Sequence, residues 1–146
     1  MKNILLTIVV LITVSFGSIH QNETYSLTVT VTDLRNSEGL VQFSLYNKDG
    51  SIPDEKFKKY YLQKTATISN NSATVTFDNI PVGWYAVNIL HDENENHKID
   101  KGFVMPKEGI GFSNYSSIGL TNRPKFEKAK FELISDLSKE VIIIYF

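Results

Sequence analysis

The sequence predicts an all-β fold, an antiparallel β-sandwich of about seven strands. Three observations carry that expectation. Apolar and polar residues alternate with period two in a series of short runs. Clusters of Asn, Asp, Gly and Ser, the residues that turn a chain, separate those runs. Helical periodicity is scarce, no repeat is visible, and 146 residues suit one domain.

The N-terminus reads as a targeting segment. Lys2 gives a positive start, residues 4–16 form an apolar run, and Ser15-Phe16-Gly17 places small residues at a signal-peptidase spacing. A signal peptide is expected over residues 1–18, cleaved after Gly17 or Ser18, with the sandwich domain over residues 24–146. The run is shorter than the roughly 20 residues a spanning helix needs, which favours cleavage over a retained anchor. The mature chain is therefore expected to be exported (periplasmic, cell-surface or extracellular) with no membrane span after signal cleavage. The chain contains no cysteine, which excludes lipoprotein anchoring, a disulfide scaffold, a thiolate metal site and a cysteine nucleophile. Hydrophobic residues at 42% and aromatics at 12% are enough for a core. A formal net charge of -1 offers no field for nucleic acid.

The elements follow in order. Tyr25, Leu27, Val29 and Val31 alternate with Ser26, Thr28, Thr30 and Thr32, giving a strand with one buried and one wet face. Residues 33–39 turn the chain, and Val41, Phe43 and Leu45 mark a second strand. Pro53-Asp54-Glu55-Lys56-Phe57 fits either a short helical turn or an ordered crossing loop. Alternation over 65–69 and 73–77, around Asn70-Asn71, reads as a hairpin. Residues 84–91 are apolar on both faces, with Tyr85, Val87 and Ile89 opposite Ala86, Asn88 and Leu90, which argues a central strand. The 101–125 stretch is long and rich in Gly, Ser, Asn and Pro; Phe103, Met105, Ile110, Phe112 and Tyr115 are its candidate anchors. Strands over 129–133 and 140–146 complete the seven.

Directly after the central strand stands a loop of oxygen-bearing side chains. Asp92, Asn94, Asn96 and Asp100 occupy the first, third, fifth and ninth places of a calcium-loop spacing, and Lys98 at the seventh would offer its carbonyl. Alternate residues of a curled loop turn their oxygens inward, and calcium prefers oxygen ligands. The twelfth place, which wants a bidentate acid, is Phe103; Glu108 is the substitute if the long stretch folds back. So few carboxylates predict a moderate affinity, about 10⁻⁴–10⁻³ M. The competing reading is a solvated Asn/Asp turn that caps its own backbone.

Four further pieces of the chain stand out: Leu34-Arg35-Asn36 with Gly39; Pro81-x-Gly83-x-Tyr85-Ala86-Val87; His91-Asp92-x-Asn94-x-Asn96; and Pro106-Lys107-Glu108-Gly109-x-Gly111-Phe112-Ser113-Asn114. Together they resemble an exported bacterial family, domain of unknown function 2141. The second piece also looks like the strand connection of transthyretin-like and collagen-adhesin-B-type sandwiches. The resemblance implies a small secreted or periplasmic, immunoglobulin-like or prealbumin-like sandwich with no assigned activity. One position departs. The family usually has Gly where this chain has His97. That place often needs a positive φ, which Gly takes freely and His takes at a cost.

Other chemistries find less support. His91 and His97 with Asp92 would be a transition-metal set across a turn, while the plainer reading makes His91 a buried strand residue. Ser113 lacks the second Gly of a hydrolase elbow. Asp92, Asp100 and Glu108 form a possible carboxylate set for hydrolysis, but nothing in the sequence raises a pKa or marks a cleft. Tyr60, Tyr61, Trp84, Phe112 and Tyr115 form either an aromatic platform for a carbohydrate or protein ligand, or core and loop anchors. The expected protein is a non-enzymatic binding or structural module with a calcium site. The alternatives are a metal-free envelope module and a carboxylate hydrolase.

Overall fold

Alternating β-branched and aromatic residues form the strands, and turn residues stop them. The computed structural model describes residues 23–103 and 105–146. The signal segment expected at residues 1–18 lies outside them. Within the described residues the strands are β1 (Thr24–Val31), β2 (Leu40–Tyr46), β3 (Leu62–Thr67), β4 (Ala73–Pro81), β5 (Gly83–Asp92), β6 (Gly109–Phe112), β7 (Phe131–Leu133) and β8 (Leu137–Glu140), with one short helix, α1 (Phe126–Ala129). No helix among these residues is long and apolar enough to cross a membrane.

Two sheets result. One has the order β4-β1-β8; the other runs β3-β2-β5-β6, with β7 also pairing β5. Their facing sides bury Leu27, Val29 and Val31 of β1, Phe77 of β4, Val41, Phe43 and Leu45 of β2, and Tyr85, Val87 and Ile89 of β5. The sandwich and the central place of β5 are as expected, with eight strands where about seven were anticipated. All strand pairs are antiparallel except β1 with β8, which run parallel. On the wet face of β1, Thr28 and Thr30 meet Thr76 and Thr74 of β4, each hydroxyl pair at 3.0 Å.

Three expectations need correction, and one open alternative resolves to a loop. The 65–77 hairpin is not one. Asn70 and Asn71, both with positive φ, close a turn between paired Ser69 and Ser72, but β3 then pairs with β2 and β4 with β1. The turn carries the chain from one sheet to the other. Residues 53–57 form no helix: Asp54 Oδ2 accepts the Lys59 N–H at 2.7 Å and the Tyr46 hydroxyl at 3.3 Å, which ties down a crossing loop. The strand expected over 129–133 begins at Phe131, because Ala129 belongs to the helical turn. The strand expected over 140–146 is shifted to Leu137–Glu140 on β1. Val141 and Ile143 then dip into the core, and Ile144 reaches the other sheet to bridge Ile110. Crossing between sheets interrupts the ladder. A side chain at Gly109 would sit 2.4 Å from the Tyr145 ring, so glycine there lets the segment lie on β6.

The outer face of the larger sheet is covered by loops and the single turn of α1, not by a full third layer. Tyr46, Ala86, Leu90, Ile110, Phe112, Tyr115, Phe126 and Ala129 form a second apolar cluster there. Ile110, Phe112 and Tyr115 therefore anchor the long stretch, as expected. Phe103 does not, being fully exposed.

Candidate metal centre

The strand β5 delivers Asp92, with no exposed surface, to the end of the sheet. Its Oδ1 accepts the Asn96 N–H at 3.1 Å and its Oδ2 accepts the His97 N–H at 2.7 Å. One buried carboxylate thus winds residues 92–97 into a turn. Asn94 Oδ1 accepts the N–H of Asn96 at 3.1 Å, and Asn96 Oδ1 that of Lys98 at 2.8 Å. The carboxamide nitrogens of Asn94 and Asn96 donate to Asp100 Oδ2 at 2.6 and 3.1 Å. The heads of Asn94, Asn96 and Asp100 therefore meet at one point, with Lys98 exposed between them. His97 is left-handed at φ 58, so this chain holds a side chain where the resemblance called for glycine.

Glu108 does fold back. It is 3% exposed; Oε1 accepts the Glu93 N–H at 3.1 Å and Oε2 the Asp100 N–H at 3.2 Å. The carboxylate clamps the two ends of the loop. Burial pushes its pKa above the ordinary carboxylate range, the two backbone N–H groups oppose the rise, and the charges of Asp100 and Asp92 add to it. Among the described residues no Lys or Arg forms an ion pair with Asp92, Asp100 or Glu108, although the charge of Arg35 reaches Glu108; the exposed His97 imidazole lies 3.6 Å from Asp92. Nor do three His, Asp or Glu side chains alone converge as a metal cage among those residues.

Sequence reasoning missed the base of the loop. Arg35 donates to Glu93 through Nε at 2.8 Å and again through Nη2, and Asn36 Nδ2 donates to Glu93 Oε1 at 2.7 Å. The Arg35 hydrogen bond, despite opposing burial, holds the Glu93 pKa below the usual range. Gly39, at φ 68, lies where a Cβ would be 2.1 Å from the Asp92 carbonyl oxygen. The signal was present: Leu34-Arg35-Asn36 with Gly39 stood in the resemblance without a role.

Several expected chemistries are not assembled. Both nitrogens of His91 are engaged, Nδ1 with the Tyr145 hydroxyl at 2.7 Å and Nε2 with the Glu38 carbonyl at 3.0 Å. A carbonyl only accepts, so Nε2 carries a proton and donates to Glu38. His91 is a strand residue in a structural clamp, not a transition-metal ligand. Ser113 is buried, its Oγ donating to the Ala129 carbonyl at 2.7 Å and accepting the Val87 N–H at 2.9 Å. Phe112 and Tyr115 are buried, whereas Tyr60, Tyr61 and Trp84 are exposed, so the five aromatics do not form one platform. Pro81-x-Gly83-x-Tyr85 is a strand connection, stapled by the Tyr85 hydroxyl donating to the Pro81 carbonyl at 2.9 Å.

A family model described as "uncharacterized protein conserved in bacteria", domain of unknown function 2141, matches residues 29–141. The chain belongs to that family. No curated protein and no solved structure matched.

Proposed function

We propose that this member of domain of unknown function 2141 is an exported, non-enzymatic binding module whose 92–100 loop takes one calcium ion. The carrying observation is that Glu108 folds back to clamp the loop at Glu93 and Asp100, beside the point where the heads of Asn94, Asn96 and Asp100 meet, with no Lys or Arg in an ion pair with Asp92, Asp100 or Glu108 among the described residues. Calcium takes about 6–8 oxygens, and Asp92, Asn94, Asn96, the Lys98 carbonyl, Asp100 and Glu108 are the candidate donors. Binding would turn the Asn94 and Asn96 carboxamides so that oxygen replaces nitrogen beside Asp100. The ion would cancel carboxylate repulsion and fix the 101–125 stretch on the sheet. The partner on the neighbouring surface would be a protein or a carbohydrate.

A second reading, a metal-free envelope-associated module, has its own support. All four carboxylate oxygens of Asp92 and Glu108 already accept backbone N–H groups. The same saturation weighs against a hydrolase, whose acid and base need oxygens free to move protons.

Calorimetric titration of the mature chain separates the readings. Calcium at millimolar level should release or absorb heat and raise the melting temperature. Asp92→Ala should abolish both effects, and His97→Gly should keep or strengthen them. No heat and no shift would leave the metal-free module.

A further inference from the structure

We propose that a cavity beside this loop binds a small neutral cyclic molecule bearing one hydrogen-bond donor. The cavity holds about 140 Å³ and lies on the outer face of the larger sheet. The crossing loop supplies Pro53, the end of the ion loop supplies Ile99, β6 supplies Ile110 and Phe112, and Ile118 and Pro124 come from the long stretch. An apolar cavity of about 150 Å³ takes benzene and stays dry without it. Proline rings and Phe112 are stiff walls, which suit a flat rigid ring better than a flexible chain.

Asn88 also lines this cavity and is its uncharged polar group, beside the charged Asp54, Glu55 and Lys101. It is only 3% exposed and shares its strand face with Ala86 and Leu90. Its carboxamide nitrogen donates to the Gly111 carbonyl at 3.3 Å. Among the described residues its oxygen makes no hydrogen bond. The oxygen keeps some contact with solvent, and a ligand O–H or N–H aimed at Asn88 would take the place of water there. The rim disfavours an anionic ligand. Lys101 Nζ pairs with Glu55 Oε2 at 2.5 Å, and Asp54 Oδ2 accepts the Tyr46 hydroxyl and the Lys59 backbone N–H. Among the described residues that line the cavity, the one cation is already paired.

The test uses phenol, with toluene as a probe of similar size and no donor. Both are titrated into the mature chain, once in EDTA and once in calcium, and isoleucine methyl resonances are followed. Phenol should give saturable shifts at Ile99, Ile110 and Ile118 in both conditions, about tenfold tighter than toluene. Asn88→Leu should bring the phenol-to-toluene ratio close to one. Ile118→Trp, on a partly exposed residue, should fill the cavity and abolish binding of both while the melting temperature is kept; it decides the matter even if Asn88→Leu fails to fold. The proposal is overturned by an absence of saturable shifts, by equal affinity for the two probes, or by undiminished binding to the Ile118→Trp chain. Because EDTA is one condition, failure of calcium binding and failure of this site are read separately.

Discussion

The inner and outer faces of β5 are built from alternate residues of one strand, yet they are covered in different ways. Tyr85, Val87 and Ile89 belong to the apolar cluster between the sheets. Ala86, Asn88, Leu90 and Asp92 lie under loops, whose backbone brings N–H groups and leaves gaps. Sheet-on-sheet contact excludes polar groups almost completely, whereas a loop roof can hold a buried carboxylate and a cavity. The difference teaches that stability and chemistry divide along a single strand.

That division can be broken or sharpened by mutation. The largest effect should come from the inner face. Ile89→Ala should cost about 2–5 kcal/mol in urea unfolding, because the core between two sheets collapses poorly around a void. A loss matching that of an outer-face residue would erase the distinction. Asp92→Ala, measured without calcium, should cost less, about 1–3 kcal/mol, by leaving the Asn96 and His97 N–H groups without their acceptor.

Glu108 offers a subtler probe. Its folded pKa is raised by burial, so the folded state holds the proton more tightly than the unfolded chain. Below the ordinary carboxylate range it is protonated in both states and neutral to stability. As pH climbs through the raised value it turns against folding. Melting curves in EDTA from about pH 4 upward should therefore show a decline that Glu108→Gln lacks. Parallel curves for the two chains would deny the burial effect. Glu93, lowered by Arg35, acts in the opposite sense: its contribution is present above the ordinary range and is lost as pH falls through its folded value. The smallest effect belongs to His97→Gly, which should raise stability by up to about 1 kcal/mol by relieving the left-handed φ, partly offset by the entropy of glycine. A drop in melting temperature would show that the imidazole beside Asp92 matters more than the backbone.

Much of this arrangement was legible in the residues. Strands β1, β2 and β5 announced themselves because alternation is a local property. The Asp92 to Asp100 spacing was legible for the same reason, and an unsuitable Phe103 pointed onward to Glu108. Partner choice was not legible. Alternation over 65–77 marks two strands but does not say that they enter different sheets. β6 is four residues long with glycine at alternate places, so it has no side-chain rhythm to read. The apolar 141–146 end looked like a strand because both sheets bury parts of it. The Arg35 and Asn36 grip on Glu93 spans 58 and 57 positions, beyond any spacing argument.

The parallel pairing of β1 with β8 sets an order of events during synthesis. The Ser26 N–H meets its acceptor, Asp136, across 110 positions of chain. A strand that emerges early must wait for one that emerges late, with one hydrogen-bonding edge open in the meantime. Chain closure over such a separation slows folding, so the smaller sheet should complete only once residues 137–140 have emerged.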